Sequence, residues 1–256
     1  MDLALRGKKA VVTGGTRGIG RAIAETLAAE GAAVAICARD AAQVAQAVAA
    51  LQLLGVNAFG GAVDICDGPA LKAWIAEAGR ALGGIDILIP NASALAIPST
   101  EQNWERGFQT DILGAVRAVE AARPFLEQAA AAQGDAAIVF IASTAAAEAH
   151  FESAYGPVKA ALIHFAKGIA RQQAPKRIRA NVVSPGTVYF PGGVWQRVEQ
   201  NDPQRFEQTL KRNPTGRMAA PREVANAVVF LASPAASFIS GVNLVVDGAF
   251  TARVNY

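Results

Sequence analysis

Seven short apolar runs recur along this chain, and a helix-period segment follows most of them. Residues 8–13, 32–38, 57–64, 85–90, 136–142, 178–183 and 239–246 read as strands. Between them, residues 20–30, 40–54, 67–82, 101–128, 153–171 and 221–232 read as helices. The strands are apolar on both faces, so both faces must be covered. Alternation of this kind implies a parallel sheet wound with helices on both sides, an α/β doubly wound fold. No repeat, low-complexity tract or linker interrupts the pattern, so one domain over residues 1–256 is expected, with an irregular lid or substrate segment at about 187–217.

Ligands of such sheets bind at the C-terminal ends of the strands. The glycine-rich turn, Asp64, Asn91, Ser143 and Pro185-Gly186 all follow strand ends, so they are expected to converge on one crevice. Gly14, Gly18 and Gly20 stand between the first strand and the first helix. Glycines there allow a tight turn and close backbone approach to a pyrophosphate, whose charge suits the helix N-terminus. A site selective for NAD places an acid after the second strand. Here Ala38 and Arg39 occupy that place, and Arg17 lies in the glycine-rich turn. Two guanidiniums suit a 2′-phosphate, which points to NADP(H). Asp40 is the nearest carboxylate and reads as a helix cap.

Tyr155 and Lys159 lie four apart on a predicted helix, one turn apart on one face. An ammonium near a phenol favours the phenolate, which brings a tyrosine toward acid–base work near neutral pH. Ser143 precedes Tyr155 by twelve residues at a strand end. Other features restrict the alternatives. The net charge is only +3 with no long basic run, against a nucleic-acid role. No apolar run reaches membrane-spanning length, and residues 1–9 hold no secretory core. The two cysteines, Cys37 and Cys66, lack metal-ligand spacing and are expected to be buried and reduced, which fits a cytoplasmic setting. No metal site is expected.

With Thr13-Gly14 through Gly18-Ile19-Gly20, Asn91-Ala92, Ser143, Tyr155-x-x-x-Lys159 and Pro185-Gly186 in this order, the whole chain resembles the short-chain dehydrogenase/reductase family, and its 238–248 segment resembles the 3-oxoacyl-carrier-protein-reductase-like branch. The resemblance implies a Rossmann fold with a seven-stranded parallel sheet. It implies hydride transfer between NADP(H) and a ketone or alcohol, with Tyr155 as acid–base, Lys159 as its modulator and Ser143 holding the substrate oxygen. It implies cofactor contacts from Gly14, Thr16, Arg17, Gly18, Ile19, Arg39, Asp64, Ile65, Asn91, Ala92, Tyr155, Lys159, Pro185, Gly186, Thr187 and Val188. A homotetramer is implied too, with apolar helices 115–126 and 160–170 and the end of the chain, 250–256, as interface material. Two departures stand out. Pro90-Asn91-Ala92-Ser93 replaces the usual Asn-Asn-Ala-Gly, so the loop is expected to differ locally. Asp111 stands where an Asn completes a proton relay to the lysine.

The substrate wall is expected from residues 93–97, 145–151 and 187–195, with Tyr189, Phe190 and Trp195 as a lid group and His150 at its polar rim. A hydrophobic ketone or a 3-oxoacyl group fits that wall. The basic cluster Arg171, Lys176, Arg177 and Arg179 is a candidate docking site for an acidic acyl carrier protein. The rival readings are an NADP(H)-binding regulator without catalysis and an NAD-linked alcohol dehydrogenase.

Overall fold

The computed structural model describes residues 2–149 and 151–254; Met1, His150, Asn255 and Tyr256 lie outside the described residues, among them the predicted rim histidine and the end of the predicted interface segment. In chain order the elements are β1 (Lys9–Thr13), α1 (Gly18–Ala29), β2 (Ala33–Ala38), α2 (Ala41–Gln52), β3 (Ala58–Ala62), α3 (Gly68–Leu82) and β4 (Ile87–Ile89). They continue through α4 (Glu101–Gly107), a π turn (Phe108–Leu113), α5 (Gly114–Gln133), β5 (Ala136–Ile141), α6 (Tyr155–Gln173) and β6 (Ile178–Pro185). The chain closes with α7 (Val194–Asn201), α8 (Pro203–Arg212), α9 (Pro221–Ala232) and β7 (Asn243–Val246).

All seven strands form one parallel sheet in the order β3-β2-β1-β4-β5-β6-β7. The order reverses between β1 and β4, which opens a crevice at their C-terminal ends. Alternate residues of each strand feed two cores. Val11, Leu88, Ile138 and Phe140 point toward α3, α5 and α6; Val12, Ile87, Ile89 and Val139 point toward α1 and α9. Each fully buried aliphatic side chain contributes about 1.5–3 kcal/mol, so the two faces together fix the strand register.

Several caps follow the sequence directly. The side chains of Asp40, Asp67 and Thr100 accept hydrogen bonds from the first-turn amides of α2, α3 and α4. The predicted helix over 101–128 is a correction: it is broken by the π turn at Phe108–Leu113 and then runs on to Gln133. The segment after β6 is also more ordered than expected. Asp202 caps α8 ahead of Pro203, so residues 187–217 hold two helices.

Two surface expectations are overturned. Arg179 is buried, not part of a basic docking face. Its Nε and Nη2 donate to Asp135 at 2.7 and 3.0 Å, and its Nη1 donates to the Leu231 carbonyl at 2.6 Å, tying β6 to the end of α9. Lys176 pairs with Glu127 at 2.7 Å, leaving Arg171 and Arg177 from that cluster. Cys37 is buried, and burial pushes its thiol up to about 12, whereas Cys66 is exposed with Sγ 3.3 Å from Thr110 Oγ1.

Gly20 sits where α1 meets the loop, and a Cβ there would lie 2.2 Å from the Gly14 carbonyl oxygen and 2.4 Å from Asn91 Nδ2. Backbone cannot yield as a flexible side chain can. Gly20→Ala is therefore expected to cost about 1–3 kcal/mol, lowering the thermal midpoint by about 2–4 °C per kcal/mol. A melt indistinguishable from the parent would show that the loop shifts without penalty.

Candidate active site

The crevice begins at the first turn of the chain. Gly14 and Gly18 adopt φ of +67° and +54°, the left-handed region that glycine enters without steric cost. No side chain caps α1, so its first amides remain open to an anion. Asn91 holds this loop to the end of β4: its Nδ2 donates to the carbonyls of Thr13 and Gly14 at 2.9 and 3.1 Å, and its backbone amide donates to Thr13 Oγ1. The backbone geometry thus fits a dinucleotide pyrophosphate, by open amides and by a cradle that side chains would fill.

Arg17 and Arg39 are exposed at the mouth of the same crevice. Neither has a carboxylate partner among the described residues. Asp40 lines the same mouth, but its carboxylate is engaged, with Oδ1 accepting from the Gln43 amide at 3.0 Å and Oδ2 from Gln43 Nε2 at 3.1 Å. The nearest acid is thereby occupied in capping α2.

Ser143 sits at the end of β5, and its Oγ accepts from the Ala145 amide at 3.2 Å. Tyr155 opens α6; its amide donates to Ser153 Oγ, whose hydroxyl donates to the Ile97 carbonyl at 2.7 Å. The start of α6 is therefore fastened to the loop after β4. A Cβ on Gly156 would lie 2.6 Å from the Ala145 carbonyl, so α6 and the Ser143 turn approach as closely as backbones allow.

Lys159, one turn on, is buried. Its Nζ donates to the Ile141 carbonyl at 3.0 Å, lies 2.9 Å from Asp111 Oδ1, and stands 5.7 Å from the Tyr155 ring centroid. Burial is the largest influence and opposes the charge. The Asp111 carboxylate, Tyr155 and the Asp111 hydrogen bond together outweigh it, so the Lys159 ammonium titrates above the ordinary lysine range. Asp111 is also buried, and it accepts from Ser93 Oγ at 2.6 Å and from the Ala94 amide at 2.8 Å. The two departures noted in the sequence thus meet in space. The loop carries its positive φ at Leu95, +49°, with no such demand on Ser93.

Of the residues singled out in the sequence for cofactor or catalysis, all but Gly18 and Asp111 line one continuous cleft. Asp111 lies behind Lys159. Gly18 is covered by the Phe190 ring, which a Cβ there would meet at 2.5 Å. Ser93 and Ser153 are site residues whose partners the sequence did not disclose, although Ser93 was visible as a departure. Among the described residues no group of His, Cys, Asp or Glu is arranged to hold a metal ion, and no helix is long and apolar enough to cross a membrane.

Known proteins are similar to this chain in sequence and fold. A family model described as Enoyl-(Acyl carrier protein) reductase matches residues 14–251. Isoepoxydon dehydrogenase patN of Penicillium expansum is 36% identical over 250 residues, covering 95% of both chains. The rhamnolipids biosynthesis 3-oxoacyl-[acyl-carrier-protein] reductase of Pseudomonas aeruginosa is 33% identical, covering 96% of this chain and 97% of its own. The crystal structure of L-sorbose reductase from Gluconobacter frateurii, complexed with NADPH and L-sorbose, superposes with a TM-score of 0.90 at 30% identity, covering 99% of this chain and 100% of that one. With matches of this extent added to its seven-stranded parallel sheet, the chain belongs to the short-chain dehydrogenase/reductase family and is an NAD(P)-linked oxidoreductase.

Proposed function

We propose that the protein is an NADP(H)-linked carbonyl reductase whose substrate is an apolar ketone or a 3-oxoacyl compound. The observation that carries this reading is the convergence of Ser143, Tyr155 and Lys159 on one cleft with the Arg17–Arg39 mouth. Gly14, Thr16 and Ile19 would hold the pyrophosphate, with Asp64, Ile65, Asn91 and Ala92 along the adenosine half. Pro185, Gly186, Thr187 and Val188 would hold the nicotinamide half. When bound, the nicotinamide supplies hydride to the carbonyl carbon or takes it back.

The chain's own residues manage the oxygen. Ser143 and Tyr155 donate hydrogen bonds to it, and these strengthen as alkoxide charge develops. Tyr155 then delivers its proton to that oxygen. The Lys159 ammonium steadies the phenolate left behind, and two of its three donors are already fixed by Ile141 and Asp111. Asp111 works through Lys159 and does not line the cleft.

The lid supports an apolar body with a polar end. Val194, Trp195 and Val198 line the cleft from α7, and Arg205 and Arg212 line it from α8. Tyr189 fastens this lid by donating to Glu199 and by an edge-on contact with Phe206, ring centroids 5.9 Å apart. Glu199, by that hydrogen bond, raises the Tyr189 phenol above its usual range. A homotetramer agrees with apolar side chains left exposed at Phe238, Val242 and Leu244 beside the sheet edge.

Two outcomes test the reading. Tyr155→Phe is expected to reduce NADPH-dependent turnover of a ketone panel by about 10²–10⁴-fold while NADPH binding, followed by fluorescence, stays within error. Full activity in that variant would remove Tyr155 from the chemistry, and binding without turnover by the parent would favour the regulator. Arg39→Asp is expected to weaken NADPH at least about tenfold, ~1.4 kcal/mol, and to strengthen NADH; equal affinities in parent and variant would return the protein to NAD chemistry.

A further inference from the structure

The Asp111 carboxylate is a buried charge held from several sides. It is buried with Lys159, both side chains being 2–3% exposed. Three donors reach it: the Lys159 ammonium, the Ser93 hydroxyl and the Ala94 amide. Ser93 Oγ in turn accepts from the Leu95 amide at 3.2 Å. One carboxylate therefore joins the lysine beside Tyr155 to the loop over 93–97, which walls the cleft. Asp111 lies within the π turn, a kind of turn found often at functional sites.

We infer that Asp111 is a positioning residue with two effects: it cancels the Lys159 charge, keeping Tyr155 a proton donor to higher pH so that the site favours carbonyl reduction, and with Ser93 it sets the substrate loop. The inference rests on the reductase reading above. Its physics is a count of charges. A lone ammonium near a phenol draws off the phenol's proton, whereas an ammonium already paired at 2.9 Å presents a dipole, whose field is weaker and falls faster. The other charged groups lining the cleft away from the cofactor mouth are Glu148 and Glu152 from the segment before α6, Glu105 and Arg106 from α4, Arg197 from α7, and Arg205 and Arg212 from α8. Glu105, Arg106 and Glu152 are exposed and are screened by salt, while the buried pair is not.

Alcohol oxidation and ketone reduction are followed across pH in the full-length protein, at low and high salt. In the parent, the pH at which oxidation reaches half its plateau is expected not to move with salt. Asp111→Asn keeps an acceptor for Lys159 and removes the charge. It is expected to move that limb down by about one pH unit, so oxidation on the rising limb increases about tenfold. Ser93→Ala is expected to raise the ketone KM several-fold more than it lowers kcat, and Ser93→Thr, which keeps the hydroxyl, to restore it. Superimposable parent and Asp111→Asn profiles, or an upward shift, overturn the charge effect. Should Asp111→Asn fail to fold, a parent limb displaced by salt overturns it instead. An unchanged KM in Ser93→Ala overturns the loop effect. Absence of turnover with every ketone and alcohol overturns the reductase reading itself, whereas turnover with unmoved profiles overturns this inference alone.

Discussion

A buried ammonium must be matched where it stands, and the Lys159–Asp111 pair is the constraint around which this site is built. Removing each ion from water costs several kcal/mol even after relaxation. Their attraction offsets that only when the remaining donors and acceptors are also satisfied. Here two of the three Lys159 donors are met, by Asp111 and the Ile141 carbonyl, and Ser93 and Ala94 fill the other positions on Asp111. Four separate pieces of chain, the end of β5, the loop after β4, the π turn and α6, are thereby held to one geometry. A pair of this kind contributes little net stability, because a packed apolar pair would do as well. What it gives is a partnered ammonium fixed one helical turn from a phenol.

The sheet makes that placement possible. Parallel strands end on the same edge, so side chains from β1, β4, β5 and β6 reach the same crevice although they are far apart in sequence. The reversal of strand order beside β1 leaves room there. Close backbone approach then does the fine adjustment, at Gly20 against Gly14 and at Gly156 against Ala145. The Asn91 amide group is consumed in this work, bridging two strand ends, so its part in the site is first of all architectural.

Features with local causes were legible in the sequence. Strand periodicity gave the layers, and Asp40 could be read as a cap because its partner, Gln43, is three residues on. The order of glycines, Ser143, Tyr155 and Lys159 was legible for the same reason. Features that depend on distant partners were not. The π turn exists where Asp111 meets Lys159 and Ser93, and no period in residues 101–128 announces a widened turn. Arg179 looked like a surface cation among its neighbours; Asp135 and the carbonyls closing α9 bury it. The helices α7 and α8 are the intermediate case. Each is short and polar on average, so its narrow apolar face is easily passed over, yet Asp202 followed by Pro203 is a start signal that residue-level reading can find.

The two ends of the cleft solve opposite electrostatic problems. At the cofactor mouth the useful charge is left unpaired: Arg17 and Arg39 are exposed, and Asp40, which would compete for them, is occupied by Gln43. Their charge is therefore available to a dianion arriving from water. At the catalytic end the charge is already paired and buried, so its influence on Tyr155 is fixed before any ligand enters. In the proposed reading a guanidinium recruits by being free, and the ammonium sets acidity by being held. The same chain meets both demands because capping Asp40 needs only local backbone, whereas holding Lys159 requires a carboxylate brought from another helix.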